Sequence, residues 1–448
     1  MHGLTRSKRP SRSTATSAGA TTSDGEPPDG PGAPEPPPIL TQRNFAALWW
    51  GQLISILGER LTYLALVGLL AEHTRQFRDP NSPWLLSLLA NVMLAPVLLF
   101  APFTGAWVDR MNLKRVLIVS DLIRAVIVLL IPLAYAMLHH TVPVYALVFA
   151  LFTANVFFLP AKSAITPEIV APKQLLTANA LLSGAGIAST AIGALLGGWI
   201  VDHWGWPTAL LINSGTYLVS VVALALVRYQ PHAVTTPPPE ISAGSYLQEV
   251  REGWRLTRRR RAVWVALIGL SAVWIGGGFL HVAGNQHIQR AAAIPGMERL
   301  GVLLTVLGLG AGLGTWWVNT HGRRLPRPVL LGGGLVLVGA GLVVFAVSTR
   351  FAVFAIAGFL IGLSAAPAFV LSETLLQEGT EPRQRGRVFS ARDFLMRLVF
   401  LASVTVAAWV TRFFGTEAAL LVSAVLVALA GALTILGGRR ESGRMEAP

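Results

Sequence analysis

Long apolar segments follow one another from Arg43 almost to the end of the chain, and short stretches rich in charges and turn-forming residues separate them. Each segment has about the 20 residues that a helix needs to cross the hydrocarbon core of a bilayer. A helix also satisfies its backbone hydrogen bonds within one segment, as lipid requires. The pattern therefore predicts an all-α integral membrane protein with twelve spanning helices, near residues 44–70, 84–108, 115–138, 143–162, 175–201, 207–227, 262–288, 300–320, 327–347, 351–376, 388–411 and 417–437.

The polar stretches divide the chain into five parts. Residues 1–41 are rich in Pro, Ser, Thr and Gly and contain no apolar run, which predicts a disordered cytoplasmic tail or a segment outside the mature protein. Two six-helix halves are predicted at 42–228 and 262–438, with a cytoplasmic linker at 229–261 between them. A short cytoplasmic tail, 439–448, follows the second half.

The linker contains a pattern of its own. Tyr246, Leu247, Val250 and Trp254 would fall on one face of a helix, which predicts an amphipathic helix on the inner membrane surface. The arginine run at 258–261 would then meet anionic lipid headgroups. A charged, solvated linker explains these arginines equally well.

Composition agrees with a membrane protein and excludes several other classes. The chain is 53% hydrophobic and only 13% charged, whereas a soluble domain has about 25% charged residues. It contains no Cys, which excludes disulfides, thiolate metal sites and cysteine nucleophiles.

The net charge of +14 raises the question of a nucleic-acid partner. With the N-terminus placed inside the cell, most of the 36 Lys and Arg fall in cytoplasmic tails and loops. This positive-inside bias predicts a plasma (or inner) membrane protein with both termini cytoplasmic, and no nucleic acid is needed to explain the charge. The exceptions are Arg75, Arg78, Arg290, Arg299, Arg350 and Arg412 in the opposite loops, and Arg60, Arg124 and Arg397 inside helices.

The loop after the second predicted helix carries a distinctive motif. It reads Gly105-Ala-Trp-Val-Asp109-Arg110-Met-Asn112-Leu-Lys114-Arg115. This resembles the signature loop of the major facilitator superfamily, Gly-x-x-x-Asp-Arg-x-Gly-x-Arg/Lys-Arg. Asn112 stands at the second glycine position; asparagine tolerates positive φ, so the turn can survive this departure. The resemblance implies the major facilitator fold, with two pseudo-symmetric six-helix halves and alternating access.

The same resemblance implies that this loop belongs to an inner gate. Gly105 would let helices approach closely, and Asp109 would meet the positive N-terminal end of helix 11, at 387–393. The corresponding loop in the second half keeps only Gly322-Arg323-Arg324, so the gating charge is expected in the first loop. The predicted gate comprises Gly105, Asp109, Arg110, Lys114, Arg115, Glu373, Arg387, Arg392 and Asp393.

Predicted helix 5 contains the glycine-rich segment Gly193-Ala194-Leu-Leu-Gly197-Gly198. This segment resembles the antiporter motif of the superfamily, Gly-Pro-x-x-Gly-Gly, with Ala194 in place of the proline. A face of small residues that packs against another helix accounts for the three glycines equally well.

Further stretches narrow the resemblance, at 51–55, 158–170, 176–181, 249–256 and 376–388. Together they are similar to the macrolide-type and enterobactin-exporter-like efflux branch of the superfamily, over most of residues 42–438. The resemblance implies export of a bulky, amphipathic small molecule, such as a drug, a macrolide or a siderophore. It also implies a monomer that uses no cofactor and takes its energy from the proton gradient by antiport.

Charged side chains inside the predicted helices cost about 2.5–3.5 kcal/mol each at the bilayer centre, so each needs a partner or a function. Glu59, near the middle of helix 1, is a candidate for proton coupling. A permanent ion pair with Arg124 or Arg397 is the alternative for this residue. Asp121 and Arg124 lie three residues apart and are expected to form a local ion pair.

His281 in helix 7 is a second candidate for proton coupling, because imidazole titrates near physiological pH; an interfacial histidine is the competing interpretation. His281 and Asn285 are four residues apart and are expected to share one helical face, as in a polar cavity wall. Arg397 could meet either an anionic substrate or Glu59. The predicted substrate cavity comprises Arg60, Tyr63, Asn155, Trp274, Asn285 and Arg397.

The sequence also bears on several functions other than export. A lipid or lysolipid transporter, or an importer of the same fold, fits the same pattern, because direction depends on the states that substrate and ion prefer. A polytopic membrane enzyme is disfavoured, since the chain has no His-x-x-x-His box, no Asp-x-x-Asp cluster, no Gly-x-Ser-x-Gly elbow and no predicted metal site. The chain also has no Walker loop, which argues against ATP as the energy source. A receptor that has lost transport is the remaining alternative.

Overall fold

Every regular element in the computed structural model is helical, within the residues that it describes: 37–77, 82–108, 110–229, 248, 251–252, 254–255, 261–291, 296–378, 380 and 385–445. Helices are the expected outcome for long apolar segments, because lipid offers no hydrogen-bond partner to an exposed backbone. The predicted all-α membrane fold class is therefore confirmed.

Six long helices form the first half of the molecule. Gly205 separates the fifth from the sixth with a φ of 82°, a conformation that glycine adopts without strain. The helices are α1 (Arg43–Phe77), α2 (Ser82–Val108), α3 (Leu113–Leu138), α4 (Thr141–Ile169), α5 (Leu175–Trp204) and α6 (Trp206–Leu226).

The second half begins with a span that has a π-helical turn in it. This turn, Leu280–Gly284, joins α7 to α8, so that the two together make one membrane-spanning segment. The helices of this half are α7 (Arg261–Phe279), α8 (Asn285–Ala291), α9 (Met297–His321), α10 (Arg327–Val347), α11 (Phe351–Glu378) and α12 (Arg385–Met445).

The number of spanning helices differs from the sequence prediction. Eleven helices of the described chain are long and apolar enough to cross a membrane, not twelve. The last of them extends over 49 residues, Val388–Leu436, and contains Gly415 with φ 90° and ψ 169°. Predicted helices 11 and 12 both lie within this last element, α12, and the non-helical backbone of Gly415 divides it into two helices of spanning length, which accounts for the difference in number.

Most helices connect the two ends of the molecule; α7 and α8 make one crossing together, and α12 contains two segments of spanning length. We call the end where α1 begins the near end and the opposite one the far end. In the first half α1 packs against α5 and α6, and α3 packs against α4 and α6. In the second half α12 packs against α7 and α10, and α11 packs against α9 and α10. Between the halves, α5 packs against α9 and α2 packs against α12.

The hydrophobic core is organised differently at the two ends. The largest core takes residues from both halves, such as Leu64 and Trp206 with Met297 and Phe279. At the near end each half has a smaller core of its own, around Leu117 in the first half and around Leu376, Val388 and Met396 in the second. The two halves therefore share their packing mainly toward the far end.

The outer surface of the helices is strongly apolar. Large side chains such as Leu133, Val222, Ile356 and Leu433 are more than half exposed. A surface of this kind is stable against lipid tails and unfavourable in water. It supports the assignment of the chain as a multi-pass membrane protein.

Two of the predicted domains lie mostly outside the described residues. These are the tail at 1–41, of which only 37–41 is described, and the linker at 229–261 with its amphipathic helix. The described end of the tail contains a 3-10 turn, Ile39–Thr41, and Ile39 is buried against Phe45 and Val170.

Candidate functional site

A cavity of about 830 Å³ lies between the two halves. Helices α1, α2 and α4 line one side of it, and α7, α9, α11 and α12 line the other. Glu373 and Arg392 line it toward the near end, whereas Tyr63 and His281 close it in the direction of the far end. Its walls are mainly apolar and aromatic, as is typical of small-molecule sites, and include Met93, Leu94, Val97, Phe152, Trp274, Phe369 and Phe400.

Five of the six predicted cavity residues line this cavity: Arg60, Tyr63, Asn155, Trp274 and Arg397. The sixth, Asn285, is buried elsewhere and accepts a hydrogen bond from Gln289. The predicted common face of His281 and Asn285 is wrong because the backbone between them is π-helical. A π-turn inserts an extra residue into the helical repeat and so rotates Asn285 away from the cavity.

His281 itself lies at the deep end of the cavity, in the π-turn. Its Nδ1 and the Tyr63 hydroxyl are 3.0 Å apart, so they form a hydrogen bond between the two halves. The other ring nitrogen, Nε2, is buried. π-turns inside α-helices are frequent at functional sites, and this one brings the imidazole to the junction of the halves.

A cluster of three charges lies beside the cavity. The guanidinium of Arg124 donates hydrogen bonds to Glu59 Oε1 at 2.8 Å, to Asp121 Oδ1 and to Asn155 Oδ1 at 3.1 Å. The predicted pair of Asp121 and Arg124 is confirmed. For Glu59 the structure shows the alternative interpretation, an ion pair with Arg124.

The three charges differ in their access to water. Asp121 and Arg124 are fully buried, whereas the side chain of Glu59 is 31% exposed. The guanidinium also lies between the rings of Phe158 and Tyr217, at 4.3 and 4.6 Å from their centroids. Glu59 is therefore the carboxyl of this cluster that a proton from solution can reach.

At the near end, the predicted gate residues bond within their own halves. Lys114 donates to the backbone carbonyls of Ala225 and Val227 at the end of α6, both at 2.8 Å. These are carbonyls that the helix leaves without an internal partner. In the second half, Arg392 bonds both Glu373 and Asp393.

The other described gate residues lie in or next to α2, α3 and α12. Arg110 is exposed, and the backbone N–H of Arg115 donates to the Asn112 side chain. Gly105 lies in α2 and Arg387 lies in α12, while Asp109 is outside the described residues.

Asn112 does not behave as a substitute for glycine. Its φ is −68° and its side-chain oxygen accepts a hydrogen bond of 3.0 Å from the backbone N–H of Arg115. It is therefore the N-cap of α3, a position at which Asn is strongly preferred. The turn therefore does not use the positive φ that asparagine tolerates, and the asparagine side chain satisfies a backbone N–H instead.

At the far end, an aspartate closes the contact between the halves. Asp202, at the end of α5, accepts hydrogen bonds of 2.8 Å from the backbone N–H groups of Met297 and Glu298. These are the first residues of α9, whose free N–H groups and helix dipole favour a carboxylate. Nearby, Gln286 of the second half donates to Ser82 of the first at 2.7 Å.

The glycine motif of α5 serves both sides of this contact. Gly193 and Gly197 pack on α1, where a Cβ would meet the backbone of Leu57 and Leu61. A Cβ on Gly198 would lie 2.3 Å from the carbonyl oxygen of Met297 in the other half. The predicted packing face therefore exists, and its last glycine allows the two halves to touch.

Sequence reasoning missed Asp202, although a signal for it was present. The pattern Gly-x-x-Val-Asp occurs at 105–109, at the end of α2, and again at 198–202, at the end of α5. In this fold each half contains two three-helix repeats of inverted topology, so α2 and α5 are equivalent helices running in opposite directions. The repeated pattern marks Asp202 in the sequence as the counterpart of Asp109.

Comparison with known proteins identifies a family whose model matches more than half of the chain. The model of the Major Facilitator Superfamily matches residues 48–324. Macrolide efflux protein A of Streptococcus pyogenes is 24% identical over 375 residues, which cover 79% of this chain and 86% of that protein. The putative bacilysin exporter BacE of Bacillus subtilis is 25% identical over 356 residues, covering 78% and 84%.

Solved structures show the same fold. A bacterial homologue of the human lysosomal transporter Spinster, in an inward-facing and occupied conformation, has a TM-score of 0.70 at 14% identity. The alignment covers 88% of this chain and 96% of that one. The nucleoside transporter NupG has a TM-score of 0.68 at 12% identity, covering 87% and 99%.

Proposed function

The chain belongs to the Major Facilitator Superfamily, and from this membership we propose that it exports an amphipathic small molecule by alternating access, with proton antiport as the source of energy. The two efflux relatives support the export direction. The cavity supports the substrate class, because a large apolar and aromatic wall is combined with a few charged groups.

The orientation in the membrane follows from the positive charges. If the basic tails and loops face the cytoplasm, the near end is the cytoplasmic one. The protein then has the inward-open form, with its cavity reached from the cytoplasm and its external side sealed by Asp202 and Gly198. Export would require this seal to open and the near end to close, through the loop that contains Asp109.

The observation that carries proton coupling is the position of Glu59. It is the partly exposed carboxyl of a buried cluster with two carboxylates and one guanidinium. Asn155 accepts from the same guanidinium and lines the substrate cavity. Protonation of Glu59 would remove its charge-assisted bond to Arg124 and change the polar wall on which the substrate rests.

Accumulation in cells tests this function. An efflux-deficient host would express the wild type, Glu59→Gln or the control Glu417→Gln, which changes an exposed carboxyl at the far end. A panel of macrolides, dyes and siderophores would be measured inside the cells with and without a protonophore. We expect the wild type and the control to lower accumulation of at least one compound, and protonophore or Glu59→Gln to abolish the effect. A panel that does not move, despite good membrane expression, would reject export of this class and favour lipid transfer or import.

A further inference from the structure

Two arginines in the cavity wall form no ion pair with any described residue. Arg60 of α1 and Arg397 of α12 line the cavity from opposite halves. Among the described residues neither forms an ion pair, whereas Arg124 and Arg392, the other arginines at this depth, each bond two carboxylates. A charge inside a membrane protein is costly without a partner, and it commonly marks a substrate path.

The neighbouring acids are already engaged. Glu59, next to Arg60 in sequence, points to Arg124 instead. Asp393 lies one turn before Arg397 on the same helix, but its carboxylate accepts from Arg392 Nε at 3.0 Å and Nη2 at 2.9 Å. Both carboxylates are thus paired with other arginines, while Arg60 and Arg397 line the cavity.

Aromatic side chains line the same cavity as both arginines. Trp274 and Phe400 form an edge-to-face pair with 5.6 Å between their ring centroids, and Phe400 follows Arg397 by three residues, which places it on the same helical face. Met93 and Phe369 extend this apolar wall. The wall can hold a hydrophobic body while the arginines hold a charged group.

From this arrangement we propose that the substrate carries an anionic group, a carboxylate or a phosphate, which binds to Arg60 and Arg397 while its apolar part rests on Trp274 and Phe400. Guanidinium groups suit this role, because their planar set of donors matches the oxygens of a carboxylate or phosphate. The proposal refines the substrate class of the exporter described above, and it rests on that function only in assuming that the cavity holds the substrate.

Binding without a proton gradient tests the site separately from transport. The full-length protein in zwitterionic nanodiscs would be titrated with 1-pyrenebutyrate and with its uncharged methyl ester. We expect the carboxylate to bind more tightly than the ester, and Arg60→Gln or Arg397→Gln to weaken carboxylate binding about tenfold while leaving ester binding unchanged. Arg350→Gln, which alters an exposed arginine at the far end, is the matched control.

Two further arms complete the experiment. Arg60→Lys and Arg397→Lys retain the charge, so we expect them to keep most of the preference for the carboxylate even if the glutamine variants fold poorly. Nanodiscs with added anionic lipid would show competition if a lipid headgroup is the anion that occupies the site, and none if the anion is a free organic acid. Equal affinity for acid and ester in the wild type, or a preference that survives both glutamine variants, would overturn the proposal without affecting proton-driven export.

Discussion

The carboxylate of Asp202 caps the helix that begins at Met297 in the other half of the molecule. The two residues are 95 positions apart in sequence and are joined by a hydrogen bond of 2.8 Å. A second bond of 2.8 Å joins the same carboxylate to Glu298. Since α5 and α9 pack together, this cap fastens the two halves at the far end.

Removal of the cap should open the far end. Loss of an N-cap carboxylate costs about 1 kcal/mol, which corresponds to a population shift of about fivefold. We expect Asp202→Ala to increase the distance between spin labels at Val142 and Arg350, exposed far-end positions in the first and second halves. The native chain contains no Cys, so labels can be attached at introduced cysteines.

The matched control for this prediction is Glu417→Ala, which removes another exposed far-end carboxyl that is not part of the cap. It should leave the distance distribution as in the wild type. An unchanged distribution in Asp202→Ala would show that the cap does not hold the halves together.

The close approach at Gly198 gives a second prediction for the same end. A methyl group there would lie 2.3 Å from the Met297 carbonyl oxygen, so Gly198→Ala should force α5 and α9 apart. We expect a larger shift of the label distance than in Asp202→Ala, together with slower transport. Gly184→Ala, at a position of α5 with no neighbour within 4 Å, should have neither effect.

Arg124 should be essential for stability. It is fully buried and forms ion pairs with Glu59 and Asp121, and removal of one partner of a buried ion pair costs about 3–5 kcal/mol. We expect Arg124→Gln to lower the melting temperature of the purified protein strongly, as followed by tryptophan fluorescence. Arg60 lines the cavity and forms no ion pair with a described residue. The Arg60→Gln variant should therefore have a melting temperature close to that of the wild type.

Asn112 provides a local test of the first loop. Because its side chain caps α3, Asn112→Ala should destabilise the protein by about 1 kcal/mol, while Asn112→Gly should cost only a few tenths of that amount. The comparison would be made by thermal unfolding of the two variants beside the wild type. If glycine proved more destabilising than alanine, capping would not explain this residue.

Much of this structure could be predicted from the sequence, because apolar segments of spanning length have few alternatives to a helix in lipid. The ion pair of Asp121 and Arg124 was predictable for a similar reason, since residues three apart on a helix are neighbours. Most of the predicted cavity residues also line the cavity. Each of them is a polar or aromatic side chain within an apolar segment, and such positions favour the interior of the bundle.

Other features depend on backbone geometry or on distant partners. The π-turn at 280–284 alters a helix whose apolar pattern continues across it, whereas the break at Gly415 falls in the gap predicted between 411 and 417. The role of Asp202 depends on a partner in the other half. The sequence does not decide between Arg124 and Arg397 as the partner of Glu59, because hydropathy does not show which helices are neighbours.

Transport by the reconstituted protein tests whether Glu59 couples substrate movement to the proton gradient. Proteoliposomes would contain the wild type or the Glu59→Gln variant, and the substrate would be a compound identified in the accumulation assay. Two rates would be measured: substrate movement driven by an imposed pH gradient, and substrate exchange without a gradient. We predict that the wild type performs both, and that Glu59→Gln keeps exchange but loses the gradient-driven movement. Wild-type transport that ignores the pH gradient, or a Glu59→Gln variant that still responds fully to it, would contradict proton antiport through this residue.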